Sequence, residues 1–253
     1  MQKKSIISLN IHTGTYQAFL QKIIDFSKAK ISSYVCLANV HMTTEAYLNK
    51  EFAENVNNAT IVAPDGLPLV KSLKLLYGIK QDRIAGLDIL PDLFKEIEKY
   101  KLGIYIYGTT KEVIEATDKY LKNNYPDISN KHYHSPPFRN LTTHEDSLVI
   151  EEINRSGAHI VFVVLGCPKQ EKWMSSMHGK INACMIGIGG ALPVVIGIRK
   201  KAPNWMRNSG LEWVYRLVQE PRRLFMRYAI SNSLYIVLFC YEIIKNFIPK
   251  KLQ

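Results

Sequence analysis

The residue best placed to do chemistry is Asp65, in Ala63-Pro64-Asp65-Gly66. It directly follows an apolar, β-branched run, and the glycine after it permits an unusual backbone turn that lets a carboxylate project into a cleft. A carboxylate there can act as general base toward a hydroxyl nucleophile. An Asp-Gly pair is equally at home in a plain turn, and the local sequence leaves both readings open. Arg83, in Arg83-Ile84-Ala85-Gly86-Leu87-Asp88, offers a planar fork to a phosphate or, more simply, one half of a surface ion pair. Tyr107-Gly108-Thr109-Thr110 closes one run and opens a helical one, where free N–H groups can hold an anion or be capped. In Leu165-Gly166-Cys167-Pro168-Lys169-Gln170-Glu171, Pro168 suits the first turn of a helix. Gln170 is expected to face the same crevice, with an amide able to bind a base or sugar.

Other chemistries find less support. Gly187, Gly189, Gly190 and Gly197 match neither dinucleotide nor mononucleotide loop spacing. His132 and His134 have no further ligands at a useful distance along the chain, and there is no Asp-x-Asp pair to grip a divalent cation, so no metal site and no cofactor is expected. Protein cations would then have to face any diphosphate. Cys36, Cys167, Cys184 and Cys240 lack paired spacing and read as buried thiols.

The elements that must position these residues are strands alternating with helices. Strand-like runs recur at Ser5 to Ile11, Tyr34 to Ala38, Thr60 to Ala63, Gly103 to Tyr107, His159 to Leu165 and Ala183 to Ile188. Helical spacing fills Tyr16 to Lys28, Gly86 to Tyr100, Thr110 to Asn124 and Ser147 to Ser156. This alternation predicts βαβ units in a mostly parallel sheet covered on both faces. Ligands then bind beyond the carboxyl ends of the strands, which selects Asn39 to His41, Pro64 to Gly66 and Gly166 to Glu171. Ser135 to Phe138, with two prolines, reads as a loop. No basic and apolar leader is evident near Met1, and a cytoplasmic location is expected.

The net charge of +11 is concentrated at one end. Residues 199–253 hold 11 basic and 3 acidic side chains, against 22 and 19 in residues 1–198. We therefore expect an α/β catalytic domain over 1–198 and a basic helical appendage over 199–253. Pro221 starts a new helix, so Arg216 lies on one helix and Arg223 with Arg227 on one face of the next. Beyond them Ile230, Leu234, Val237, Tyr241, Ile244 and Ile248 form an apolar stripe opposite Asn232, Glu242, Lys245 and Asn246. The charged interruptions favour a helix lying in a membrane interface over one that spans it. The same stripe could instead pack between subunits of a homo-oligomer.

Taken together the segments resemble the WecG/TagA/CpsF family of bacterial glycosyltransferases, glycosyltransferase family 26. The resemblance rests on Ala38-Asn39-Val40-His41-Met42, Pro64-Asp65-Gly66-Leu67-Pro68, Arg83-Ile84-Ala85-Gly86, the run from Leu165 to Trp173, Ala202-Pro203-Asn204-Trp205, and Gly210-Leu211-Glu212-Trp213 through Arg216-Leu217, Glu220-Pro221 and Arg227-Tyr228. It implies a Rossmann-like fold with a C-terminal membrane appendage and inverting transfer from a UDP-sugar of N-acetylmannosamine type, its uronic acid or another hexose. The implied acceptor is an undecaprenyl-diphosphate-linked saccharide, made at the inner face of the cell membrane for surface polysaccharide. It also implies Asp65 as catalytic base, Asn39, Arg83 and Gln170 as active-site positions, and Arg216, Arg223 and Arg227 as cations for the diphosphate. Leu37, where the family usually has threonine, and Leu192-Pro193, where it often has Phe-Asp, depart from the pattern and point to a different sugar preference. Two other readings compete. One is a noncatalytic membrane scaffold for polysaccharide assembly; the other, a nucleic-acid-binding module, would use the basic end but has no reason to retain the stripe, so nucleic acid is not an expected partner.

Overall fold

A computed structural model of the chain describes residues 1–247. It opens with an antiparallel hairpin of β1 (Gln2–Ile6) and β2 (Leu9–Thr13). Between its strands Ile7 adopts φ 58°, a rare conformation for a β-branched residue. The Ile7 N–H donates to the Glu242 carboxylate at 2.9 Å, so a residue near the far end of the chain helps hold the turn. The single strand expected over Ser5 to Ile11 is thus a corner of two strands, and neither joins the main sheet. The hairpin instead lies against the edge of that sheet, where His12 Nδ1 accepts the Val62 N–H at 2.9 Å.

After α1 (Tyr16–Lys28) comes a six-stranded, wholly parallel sheet of β3 (Ser33–Ala38), β4 (Ile61–Pro64), β5 (Ile104–Gly108), β6 (Lys131–His134), β7 (Ile160–Val164) and β8 (Cys184–Gly187), in the order β4-β3-β8-β7-β5-β6. The connecting helices are α2 (Val40–Leu48), α3 (Lys50–Asn57), α4 (Leu67–Tyr77), α5 (Gly86–Lys99), α6 (Lys111–Asn124), α7 (Thr143–Ser156), α8 (Lys169–Met177) and α9 (Ala191–Val195). This is a Rossmann-like α/β fold. The near-continuous apolar runs of β3, β5, β7 and β8 follow from burial on both faces. Alternate residues divide between two cores, with Tyr105, Tyr107, Val161 and Val163 in one and Ile104, Ile106, Ile160 and Phe162 in the other.

The expected helices form at Tyr16–Lys28, Gly86–Lys99 and Lys111–Asn124. The helix expected from Ser147 begins at Thr143, because Thr142 and Glu145 close a reciprocal capping box. Strand β6, Lys-His-Tyr-His, had no counterpart in the sequence reading, since an edge strand with polar flanks lacks the apolar signal. Cys36 and Cys184 are buried, Cys167 is half-buried, and Cys240 is exposed on a helix, against the expectation of four buried thiols.

The C-terminal segment comprises α10 (Asn204–Ser209), α11 (Glu212–Gln219) and α12 (Pro221–Phe247), with the helix break at Pro221 as expected. Helix α12 lies along α2 and α4. Leu224, Ser231 and Tyr235 are its buried residues, and the Tyr235 hydroxyl meets Ser72 at 2.8 Å. The stripe Ile230, Val237, Tyr241 and Ile244 faces outward, more than half exposed, whereas Glu242 sits on the docked side. Ile248 lies outside the described residues. By length and composition Pro221–Asn246 could cross a membrane, with a mean hydropathy of 1.3.

Candidate active site

Because the sheet is parallel, the loops after β3, β4, β5, β7 and β8 meet at one edge. Two backbone bonds bind the first of them together: Asp65 N–H donates to Ala38 O, and Ile84 N–H donates to Pro64 O at 2.9 Å. Asp65 therefore sits two residues before α4, fixed against the end of β3 and the entry to α5. Gly66 takes φ 118°, which a side-chain-bearing residue rarely adopts, and so permits the turn that presents the carboxylate. Asp65 is half-buried. Burial, with Glu212 adding to it, pushes its carboxyl from the usual range up to about 7, against the opposing pull of Arg216 and Arg83.

Charges dense enough to answer that acid surround it. Arg83 Nη2 lies 3.1 Å from Asp88 Oδ2, and its Nη1 reaches the carbonyl of Arg207 at 3.2 Å and Glu212 Oε2 at 3.9 Å. Arg207, only 6% exposed, pairs with Asp88 through Nη2 and approaches Glu212 with Nε at 4.0 Å. Arg216 binds the other oxygen of Glu212 at 2.8 Å. Asp65, Arg83 and Arg216 thus come together in one cluster, joined by Asp88, Arg207 and Glu212.

The other expected positions lie around or beneath this cluster. Asn39 is the N-cap of α2, its Oδ1 accepting from Met42 N–H at 3.1 Å, one residue past the carbonyl that holds Asp65. Arg227 is near enough to His41 to join burial in pushing that imidazole down to about 4. Among the described residues Arg227 makes no ion pair within 4.0 Å. Arg223 pairs with Glu220, which also holds Arg199 at 2.7 Å. Gln170, expected to face the crevice, is turned inward and buried: Oε1 accepts the Gly166 N–H at 3.0 Å and Nε2 donates to Glu171 at 2.8 Å. A Cβ on Gly187 would come within 2.7 Å of Gln170 Nε2, so the missing side chain makes room for it. Gln170 braces the loops after β7 and β8 from below.

Between the α9 region and the C-terminal segment a small open cleft is lined by Arg199, Lys200, Glu212, Arg216, Glu220 and Arg223, among others. Four cations against two carboxylates leave it positive, suited to an anion. Among the described residues no group of three His, Cys, Asp or Glu could hold a metal ion. Glu212, Arg207 and Glu220 had no assigned role in the sequence reading; Glu212 and Glu220 stand within the motifs that carry the family resemblance, and Arg207 follows one of them by two positions.

The family described as glycosyl transferase WecG/TagA/CpsF matches residues 4–248. The chain is 30% identical over 254 residues to the N-acetylglucosaminyldiphosphoundecaprenol N-acetyl-beta-D-mannosaminyltransferase of Bacillus subtilis (strain 168), covering 99% of this chain and 96% of that protein. It is 28% identical over 246 residues to the protein of the same name from Staphylococcus aureus (strain MW2), covering 96% of this chain and 92% of that protein.

Proposed function

The chain belongs to the WecG/TagA/CpsF family of glycosyltransferases, and from that premise we propose that it transfers a hexose from a UDP-sugar to a saccharide carried on undecaprenyl diphosphate, with Asp65 as general base. The observation that carries this reading is a half-buried carboxylate, raised to about 7, beside Arg83 and Arg216. Such a group is ready to take a proton from an acceptor hydroxyl as the hydroxyl attacks the anomeric carbon. Arg83, Arg216, Arg223 and Arg227 offset the charge that develops on the departing UDP, a role for fixed cations in place of a metal ion. Asn39 adds its Nδ2 amide to the donor or acceptor, and Gln170 keeps the floor of the site in place.

Leu37 on β3 and Leu192-Pro193 in α9 are the two departures from the family pattern, and Leu37 and Leu192 belong to one apolar core. A Cβ on Gly86 would lie 3.4 Å from Leu37 Cδ1 and 3.0 Å from Ala191 Cβ, so strand β3 and helix α9 meet beneath the start of α5.

Residues 199–253 act as a membrane-surface appendage to a catalytic body of residues 1–198. Contacts to the body run from Leu224 to Glu242 along α12, about 27 Å at 1.5 Å per residue. Insertion across a bilayer would break them. Lying flat, the helix keeps them and offers Ile230, Val237, Tyr241 and Ile244 to lipid from the cytoplasmic side.

The test is a panel of UDP-sugars with a short-chain polyprenyl-diphosphate acceptor bearing one N-acetylhexosamine. Asp65→Asn is expected to lower transfer by about 10²–10⁴-fold with the fold retained. Full transfer by that variant overturns the base, and turnover by none of the UDP-sugars overturns the donor class.

A further inference from the structure

Glu212 stands where the C-terminal segment meets the body, and three guanidiniums converge on its one carboxylate. Oε1 binds Arg216 of its own helix at 2.8 Å, while Oε2 faces Arg83 at 3.9 Å and Arg207 at 4.0 Å. Its side chain is 20% exposed. A carboxylate in the first turn of α11 is also favoured by the helix dipole. Asp88 closes the ring from the body's side, bound to both Arg83 and Arg207. The Nε of Arg207 is buried without a hydrogen-bond partner, so the ring is held by charge more than by saturated hydrogen bonding. No substrate group is needed to explain Glu212's position, yet its charge is felt at Asp65 as the largest contribution after burial.

We propose that Glu212 is a positioning residue for the reaction at Asp65: its carboxylate gathers Arg83, Arg207 and Arg216 into one network that seats the C-terminal segment on the body and sets the charge around the base. The inference rests on the assignment of Asp65 above and deepens it. The charged groups facing Asp65 are Arg83 and Asp88 from the loop into α5 and from α5 itself, and Glu212 and Arg216 from α11. Glu212 and Asp88 both oppose ionisation of Asp65 and both bridge the two parts of the chain, and of the two Glu212 acts more strongly on Asp65 and comes from the segment itself. Seating the segment therefore brings the negative charge that keeps Asp65 a strong enough base. The same act delivers Arg216, which an arriving diphosphate can take over from Glu212.

The experiment follows the Asp65 carboxyl directly, by carbon-13 NMR titration of the full chain without substrate, with Asp65→Asn identifying the resonance. Glu212→Gln keeps the shape and removes the charge. Its Asp65 midpoint is expected to fall by about one pH unit from the wild-type value near 7. Glu212→Asp, which keeps the charge, is expected to restore most of the shift, and Arg216→Gln to move the midpoint the other way. The acid limb of the kcat profile should follow the same order. An unmoved midpoint in a folded Glu212→Gln overturns the proposal. Should that variant not fold, an unmoved midpoint in Glu212→Ser, which also removes the charge, overturns it instead. Full transfer by Asp65→Asn would sink the base assignment alone, because the titration reports on Glu212 whether or not Asp65 is the base.

Discussion

The body and the C-terminal segment of this chain are held by different physics. In the body, β7 runs Ile-Val-Phe-Val-Val with every residue buried, and two apolar cores press on the sheet from either side. In the segment, α11 has no buried residue, and attachment depends on Leu224, Ser231, Tyr235, the Glu242 bond to Ile7 and the Arg207 ion pairs. Apolar burial is non-directional and tolerates no water, whereas ion pairs and isolated contacts can exchange partners for a ligand. Asp65 lies on the seam between these regimes. Its backbone belongs to the rigid side, and its electrostatics are written largely by the other.

The contrast predicts unequal responses to substitution. The largest is Phe162→Ala. This ring is fully buried and packs edge-on against Phe94 at 5.4 Å, so its loss should cost about 3–5 kcal/mol in urea unfolding. A cost below 1 kcal/mol would mean that the sheet is not the rigid partner. An intermediate effect is expected at the seam. Because the folded-state pKa of Asp65 is raised, the native protein keeps a proton that the unfolded chain gives up between pH 3.8 and about 7. Stability therefore declines as pH rises through that window. Asp65→Asn removes the penalty and should be more stable than wild type at pH 8 by about 1–3 kcal/mol, allowing for partial solvent screening. The gain should vanish below pH 3.8. Equal stability at both pH values would show that the seam carries no strain. Glu171, buried and also raised to about 7, titrates in both proteins and cancels from the difference.

Legibility in the sequence follows the same division. The body could be read from its parallel strands because burial on both faces forces apolar runs, and Asp65 and Asn39 stand directly after two of those runs, whereas Arg83 drew notice by its residue type and the family resemblance. The hairpin escaped because Ser5 to Ile11 is rich in apolar residues and has no glycine or proline, and the turn at Ile7 is held by Glu242, 235 residues away. The expectation that Gln170 faces the crevice fails because the space that draws it inward is the absence of a side chain at Gly187, a property of another strand. Glu212 is the clearest case. Its importance lies in three partners, two of them from outside its own helix, and no spacing rule could join Arg83 and Arg207 to it.

The smallest expected effect lies on the outer face of α12. Deleting the last 25 residues would also strip Ser231 and Tyr235 from the body, so loss of binding would not separate lipid contact from collapse. Val237 and Ile244, 65% and 56% exposed, allow a cleaner test. The double change Val237→Ser and Ile244→Ser removes apolar surface that no described residue covers, and it should alter unfolding stability by no more than about 0.5 kcal/mol per site. Flotation with vesicles containing anionic lipid should nevertheless weaken, because interfacial binding scales with buried apolar area as well as with charge. Unchanged flotation would assign membrane attachment elsewhere. A marked loss of stability, with a dimer falling to a monomer in solution, would show instead that a second copy of the chain covers the face. The segment would then share the body's apolar mode of attachment, and the contrast between the two regions would be confined to the ion network around Glu212.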